Sequence, residues 1–204
     1  QGRRPYFPEG NRIPPERAAI IRNAFPSAGS PTLRQRDNVI FWAGRMLYLK
    51  NMHRLIRAFV GINASSYELH LVGDGPERSN LLRLVKEYRA EDRIKIFPPM
   101  SHQELMEKLA SSTTVILPSL SDVGPNIVAE ALAVLTPVIM TQESGYAEIF
   151  RDNVILINPL DEIDLRKRLE AFIKEPAKRT LPHISMSRSW AAAAKDWIKL
   201  FQTL

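Results

Sequence analysis

The sequence has no cysteine in its 204 residues, which excludes disulfide bonds and thiolate metal ligands. It has no run of about 18 apolar residues, so no segment is predicted to span a membrane. Hydrophobic residues make up 45% of the chain and charged residues 25%, as in ordinary globular proteins. The chain is therefore predicted to form one domain with its own core, in a reducing cytoplasm.

Several motifs that would indicate a common class of site are also absent. The nucleotide-binding patterns G-x-G-x-x-G and G-x-x-x-x-G-K-[ST] do not occur, and neither does the G-x-S-x-G turn of serine hydrolases. The histidines show no H-x-x-x-H spacing, so each is predicted to have a structural or solvated role, and no metal site is expected. These histidines are His53, His70, His102 and His183.

The net charge of +6 is concentrated at the start of the chain. Residues 1–40 contain seven arginines and three acidic residues, a balance of +4, together with six of the fifteen prolines. A basic, proline-rich segment favours a linker or arm over regular structure. Because its arginines are not interleaved with aromatics and no nucleic-acid motif follows, nucleic acid is not predicted as a partner.

From Asn38 onward, short apolar runs alternate with amphipathic stretches. This alternation predicts βαβ units and a parallel sheet covered on both faces, which is a doubly wound, Rossmann-like α/β domain. Ligands are expected at the carboxyl ends of its strands. The predicted strands span 39–43, 68–72, 94–97, 114–117, 138–140 and 154–157. The predicted helices span 52–62, about 77–88, a capped segment after Ser101, one from Pro125, one after Asp161 and about 188–201.

The most informative segment runs from Val123 to Gln142 and carries a single charge, Glu130. A helix that is apolar on nearly every side is buried, and a buried carboxylate needs a partner. With Gly124 as N-cap and Pro125 as the first helical residue, Glu130 would lie near a helix end that attracts anions. This arrangement predicts a ligand with both hydroxyls and phosphates. The alternative is a structural glutamate paired with a core arginine or lysine.

Cations and glycines follow the first two predicted strands. Gly44, Arg45 and Lys50 come after the first strand, where the two cations could clamp a diphosphate. The alternative is that both cations are ordinary surface charges. After the second strand, the turn from Gly73 to Gly75 permits close approach of a backbone or a ligand.

Together these segments resemble the C-terminal, donor-binding domain of retaining GT-B glycosyltransferases of the glycosyl transferases group 1 type, which include sucrose synthase and bacterial glycogen synthase. The resemblance extends from about Ile21 to Leu204. The matching segments, in order, are Gly44-Arg45 with Lys50, Val72-Gly73-Asp74-Gly75-Pro76, Pro118-Ser119, Asp122 to Glu130 with Ala131, Thr136-Pro137-Val138, Glu148 in a G-x-x-E-I segment, and Ser189 to Ala194.

The resemblance implies a glycosyltransferase that uses a nucleotide sugar, with no metal or other cofactor. Arg45 and Lys50 would bind the donor's diphosphate and stabilise the charge that develops as the sugar departs. Asp122 would contact the donor sugar. Arg45, Lys50 and Asp122 are therefore the predicted catalytic residues.

The resemblance also implies a set of donor-binding residues. Glu130 would hold the ribose hydroxyls, and the loop at Met100 and Ser101 would line the base. Backbone amides near Gly124, Pro125 and Asn126 would meet the phosphate and sugar, although Pro125 itself has no N–H to donate. The full predicted set is Gly44, Gly75, Met100, Ser101, Gly124, Pro125, Asn126 and Glu130.

Four positions depart from the family pattern. Asp122 stands where the family has the first glutamate of its E-x7-E motif. Asn51 and Leu135 each stand where the family has glycine, and a D-G-x-x-G turn is shortened to residues 151–153. Because none of these changes removes a phosphate ligand, they are expected to affect sugar choice more than the reaction.

The resemblance divides the chain into three predicted parts. Residues 1–37 would be the end of a first domain and a linker, 38–187 the nucleotide-sugar-binding domain, and 188–204 a helix that packs back toward the first domain. The chain is thus expected to be a fragment whose partners are a UDP-, GDP- or ADP-linked sugar and its own N-terminal domain. A cytoplasmic location is expected, with peripheral contact to the inner face of the membrane.

Two alternatives to a donor-binding transferase domain stay open at this point. The first is a non-catalytic module that binds a nucleotide or sugar, and the second is an epimerase with the same two-domain architecture. The synthesis of a polysaccharide or glycoconjugate is the expected setting of the transferase.

Overall fold

The structure is a computed structural model and describes residues 36–175 and 189–202. The chain divides into two compact units, one containing the sheet with its helices and the other containing the C-terminal helix. The predicted linker spans residues 1–37, of which residues 1–35 lie outside the described residues and Asp37 is the first residue of the first strand.

The larger unit is built on one parallel sheet with the strand order β3-β2-β1-β4-β5-β6. Central β4 and β5 are buried at every position, as expected for parallel strands covered on both faces. β1 pairs with β2 on one side and with β4 on the other. Strands β1 to β3 are therefore added toward one edge of the sheet and β4 to β6 toward the other, so the order of strands reverses between β1 and β4. The strands are β1 (Asp37–Ala43), β2 (Glu68–Val72), β3 (Ile94–Phe97), β4 (Ser112–Leu117), β5 (Val138–Thr141) and β6 (Ile155–Ile157).

The helices cover both faces of this sheet. One hydrophobic cluster joins Ile40 and Leu69 of the sheet to the first, second and fifth helices, and the other joins Phe41 and Val115 to the third and fourth. The alternation of Ile40 and Phe41 between clusters follows from the two-residue period of a strand. The doubly wound, Rossmann-like fold is therefore confirmed. The helices are α1 (Met52–Val60), α2 (Arg78–Glu87), α3 (His102–Ser111), α4 (Asn126–Ala133) and α5 (Glu162–Lys174).

The start of α4 differs from the prediction. The N-cap is Pro125 rather than Gly124, and Asn126 rather than Pro125 is the first helical residue. Pro125 keeps an extended backbone with ψ of 106°, which suits a residue that enters a helix without belonging to it. The sequence also did not predict the 3-10 turn Tyr48–Lys50 that precedes α1.

The smaller unit contributes the C-terminal helix, α6 (Trp190–Gln202). Its first turn is closed by Ser189, whose hydroxyl accepts a hydrogen bond from the Ala192 amide at 3.1 Å. The predicted helix is confirmed, and its packing toward a first domain stays a prediction. Among the described residues, no helix is both long and apolar enough to cross a lipid bilayer.

Candidate functional site

The loops that follow β1 and β4 meet where the chain changes direction across the sheet. The Leu120 amide donates to the Leu49 carbonyl at 2.8 Å. The Asn51 side chain donates to the Pro118 carbonyl at 3.0 Å and to the Pro159 carbonyl at 2.9 Å. In doubly wound sheets this point leaves a crevice at the carboxyl ends of the strands, which is where such folds bind ligands.

Two predicted catalytic side chains are in direct contact across this crevice. Lys50 Nζ lies 2.6 Å from Asp122 Oδ2, and the Ser119 hydroxyl donates to the same oxygen at 3.4 Å. The two side chains are 26% and 10% exposed, so water screens the pair only in part. A charge-assisted bond of this length fixes the position of the ammonium group.

Arg45, the third predicted catalytic residue, is placed differently. It is exposed, and in the part of the chain that the structure describes no group bonds its guanidinium. It follows Gly44 directly at the end of β1, on the same loop as Lys50. The loop therefore offers one cation that is held by a carboxylate and one that is open to an anionic ligand.

Gly75 has a packing role in addition to its predicted place beside the base. A Cβ at this position would lie 2.5 Å from the Met46 carbonyl oxygen, and its φ is +152°. The loops after β1 and β2 are also joined by the Met46 amide, which donates to the Asp74 carbonyl at 2.7 Å. A side chain at Gly75 would push these two loops apart.

The segment that carries Asp122 and Gly124 is supported from the loop after β5. The Asp122 amide donates to the Glu143 carbonyl at 3.1 Å, and the Gly145 amide donates to the Asp122 carbonyl at 2.9 Å. No side chain caps the N-terminus of α4. Within the first turn the Val128 amide donates to the Pro125 carbonyl at 3.0 Å, and the helix end carries the partial positive charge that favours a nearby anion.

Tyr146 is a residue at this site that the sequence analysis missed. It is buried, and its ring lies under Gly124, where a Cβ would come within 3.2 Å of the ring. Burial raises the pKa of the Tyr146 hydroxyl, and the charge of Asp122 raises it further. Its place directly after Gly145 in the G-x-x-E-I segment was the signal available in the sequence.

Among the described residues, Glu130 is bonded by a histidine and not by a core arginine or lysine. Its carboxylate is 18% exposed, so it is partly rather than fully buried, and its Oε1 lies 3.2 Å from Nε2 of His102. The His102 side chain is 71% exposed, in agreement with the predicted solvated role for a histidine. The contact with Glu130 was not predicted.

The predicted base-lining segment leads directly into α3, which packs beside α4. Met100 packs against the hydrophobic cluster that contains α4 residues such as Ile127. Ser101 is the N-cap of α3 and forms a capping box with Glu104, as predicted: the Ser101 hydroxyl accepts from the Glu104 amide, and the Glu104 carboxylate accepts from the Ser101 amide. The segment therefore lies on the same side of the sheet as Glu130.

The described residues contain no group of three or more histidine, aspartate or glutamate side chains arranged to hold a metal ion. A reaction without a metal stays a prediction.

The sequence matches the family described as glycosyl transferases group 1 over residues 27–197. The chain belongs to the glycosyl transferases group 1 family. A curated relative in polysaccharide synthesis is the amylovoran biosynthesis glycosyltransferase AmsD of Erwinia amylovora, which is 28% identical over 125 residues. This match covers 61% of the chain and 35% of AmsD, so the chain spans about a third of the length of that relative.

Solved structures of other proteins have the same fold. The lipopolysaccharide outer core galactosyltransferase WaaB is similar with a TM-score of 0.71 at 19% identity, over 94% of this chain and 57% of WaaB. HepE of Anabaena, in complex with UDP and glucose, is similar with a TM-score of 0.71 at 19% identity, over 83% of this chain and 49% of HepE. At these identities the likeness concerns the fold.

Proposed function

We propose that this chain is the nucleotide-sugar-binding domain of a retaining glycosyltransferase that acts in polysaccharide or glycoconjugate synthesis. The observation that carries the proposal is the contact between Lys50 and Asp122 across the crevice between β1 and β4. The contact supports the proposal because the cation proposed to bind phosphate and the carboxylate proposed to bind the sugar meet at the edge of the sheet where doubly wound folds bind ligands.

The site can supply positive charge without a metal. The Lys50 ammonium has three N–H donors, so it can keep its bond to Asp122 and still donate to a phosphate oxygen. Arg45 supplies a second cation, and the uncapped N-terminus of α4 supplies a partial positive charge. Together these groups would stabilise the diphosphate that leaves when the bond to the anomeric carbon breaks.

The two acidic residues would bind different parts of the donor. Asp122 would accept hydrogen bonds from hydroxyls of the sugar, while Glu130 would accept them from the ribose. HepE has been solved with UDP and glucose bound, and the name of AmsD gives amylovoran biosynthesis as its role. The acceptor would bind mainly to an N-terminal domain of the whole protein.

The test is titration calorimetry of UDP, GDP and ADP with wild-type chain and with single variants. Arg45→Ala and Lys50→Gln are each expected to weaken binding about 10- to 100-fold, as a charged hydrogen bond to phosphate is worth about 1.5–3 kcal/mol. Glutamine at residue 50 keeps a donor for Asp122, so the fold should be preserved. Lys86→Ala, an exposed lysine at the end of α2, is the control and should bind normally.

Turnover gives a second readout of the same assignment. In the whole enzyme, Lys50→Ala is expected to lower kcat by about 100- to 1,000-fold, the cost of removing one preorganised contact to developing negative charge. Near-wild-type turnover would refute the catalytic role of Lys50.

A second candidate is a non-catalytic module that binds the same donor. It is favoured by the shortened acid at residue 122, whose carboxylate Lys50 already neutralises. Assays of sugar transfer and donor hydrolysis on the whole protein separate the two, because a binding module would bind the nucleotide and show neither reaction. An epimerase would form product from the nucleotide sugar with no acceptor added.

A further inference from the structure

The Glu130 carboxylate has one side-chain partner among the described residues, and that partner is His102. The contact joins Oε1 to the imidazole Nε2 at 3.2 Å, and the two residues lie on different helices, α4 and α3. The second carboxylate oxygen, Oε2, has no partner in residues 36–175 or 189–202. One oxygen is thus held by the protein and one is left for a ligand.

The surroundings of Glu130 make this contact important for its geometry. Its neighbours on α4, Ala129 and Ala131, are buried, and no arginine or lysine in the described part of the chain pairs with it. The glutamate side chain has three rotatable bonds, and the contact with His102 on a second helix restricts the orientations that its carboxylate can take. Such an arrangement raises the affinity for a ligand, because the carboxylate is already ordered before the ligand binds.

His102 is itself held in place by local structure. It is the first residue of α3, directly after the capping box formed by Ser101 and Glu104. The same segment contains Met100, which packs against the cluster around α4. The capping box therefore orders the backbone at His102, and the packing of Met100 joins this segment to the cluster that contains α4.

We propose that His102 is a positioning residue that orients the Glu130 carboxylate toward the two vicinal hydroxyls of a nucleotide's ribose. The inference rests on the proposed function, since it takes the ribose as the ligand of Glu130. His102 contributes through Glu130 and does not need to touch the nucleotide. Because His102 is largely exposed, its pair with Glu130 should add little to the stability of the fold.

The experiment compares two nucleotides that differ only at the ribose. UDP and 2′,3′-dideoxy-UDP, or the same pair with whichever base binds in the titrations above, are titrated into wild type, His102→Ala, His102→Gln and Glu130→Gln. His102→Ala is expected to reduce the preference for the ribose form about 3- to 10-fold, which corresponds to one hydrogen bond. Affinity for the dideoxy form should not change.

Two further variants test whether His102 acts through Glu130. The amide of His102→Gln can donate to the carboxylate, so it is expected to restore most of the preference. The double variant His102→Ala with Glu130→Gln should be no worse than Glu130→Gln alone. Gln103→Ala is the control, because Gln103 is exposed on the same turn and bonds Glu107 instead.

The possible results separate the inference from the proposed function. If nucleotide binds in a Lys50-dependent way but His102→Ala keeps the full ribose preference, the inference is wrong and the proposed function stands. An equal loss of affinity for both nucleotides in His102→Ala would also overturn the inference, because it would indicate a general change in the site. If no nucleoside diphosphate binds the wild type, both are wrong.

Discussion

Three described residues other than glycine have a left-handed backbone: Asn51, Arg89 and Leu135, with φ of 58°, 51° and 59°. Asn51 and Leu135 each stand where the family pattern has glycine. Asparagine tolerates this conformation better than most residues, whereas leucine pays a steric cost of about 1–2 kcal/mol. At Leu135 the conformation is held by Arg36, which donates to the Leu135 carbonyl at 2.7 Å.

The same substitution should therefore have opposite effects at these two positions. Leu135→Gly is expected to raise the free energy of unfolding by about 0.5–1 kcal/mol, because relief of the left-handed strain exceeds the added backbone entropy. Urea unfolding followed by circular dichroism measures the change. A decrease would mean that the partly buried leucine side chain contributes more than the strain costs.

Asn51→Gly, the same substitution at the other position, is expected to lower the free energy of unfolding. Glycine fits the backbone at residue 51 but removes the two donors that reach the Pro118 and Pro159 carbonyls. A buried acceptor left without its partner costs about 1–3 kcal/mol. This loss exceeds the stabilisation that glycine provides by relieving the left-handed backbone at residue 51. An unchanged midpoint in the same urea experiment would show that water replaces both bonds.

Because of Tyr146, the free energy of unfolding is expected to depend on pH in the alkaline range. Because burial and the charge of Asp122 raise the pKa of its hydroxyl in the folded state, folding favours the protonated tyrosine. This contribution is complete below the ordinary pKa of 10.0 and is lost as the pH rises through the folded value. Wild type should therefore lose more stability than Tyr146→Phe between neutral and strongly alkaline pH. Parallel curves of unfolding free energy against pH would contradict the prediction.

At the scale of an element, α3 depends on its capping box. Ser101→Ala should lower the free energy of unfolding by about 1 kcal/mol, and Ser101→Asp should restore most of it because aspartate is an equally good N-cap. The hydrogen bonds from Ser101 also lower the pKa of the Glu104 carboxyl. The contribution of Glu104 to stability is therefore present above the ordinary carboxyl pKa. It is lost as the pH falls through the lower pKa that Glu104 has in the folded state.

The capping role of Ser101 is separable from its predicted role beside the base. If Ser101→Asp recovers the stability but not the nucleotide affinity, the hydroxyl has a second function in the site. If both recover, Ser101 acts through the helix. Thermal unfolding and calorimetric titration of the same variants decide between these outcomes.

At the scale of the whole molecule, a ligand that binds only the folded chain must raise its melting temperature. A panel of UDP-, GDP- and ADP-sugars is expected to contain one base that shifts the transition most, with a stabilisation of about 2.7 kcal/mol at a ligand concentration of 100 Kd. The shift should be lost in Lys50→Gln and kept in Lys86→Ala. Equal shifts in both variants would indicate binding away from the crevice.

Much of the architecture could be predicted because its causes are local. The strands of a buried parallel sheet are recognisable as apolar runs, and β4 and β5 are buried throughout. The capping box at Ser101 is encoded within four residues and occurs as expected, and the helix predicted to follow Asp161 begins there with Asp161 as its N-cap. The start of α4 was missed by one residue because proline is favoured at the first helical position, whereas Pro125 keeps an extended backbone and stands one residue earlier, at the N-cap.

The contacts of the site depend on the assembled sheet. Lys50 and Asp122 are 72 positions apart, and the pattern of the chain indicated only that both follow strand ends. The partner of Glu130 was not predicted at all, since His102 lies on another helix and its sequence neighbourhood indicated only a solvated residue.

Hydrogen bonding within a few residues and the spacing of apolar side chains were enough to specify the helices, the strands and the class of fold. Which carboxylate pairs with which cation or histidine was decided only when the strand order brought distant loops to one edge. The physical reason is that helix caps and strand burial need near neighbours, whereas an ion pair needs two side chains that only the folded sheet places side by side.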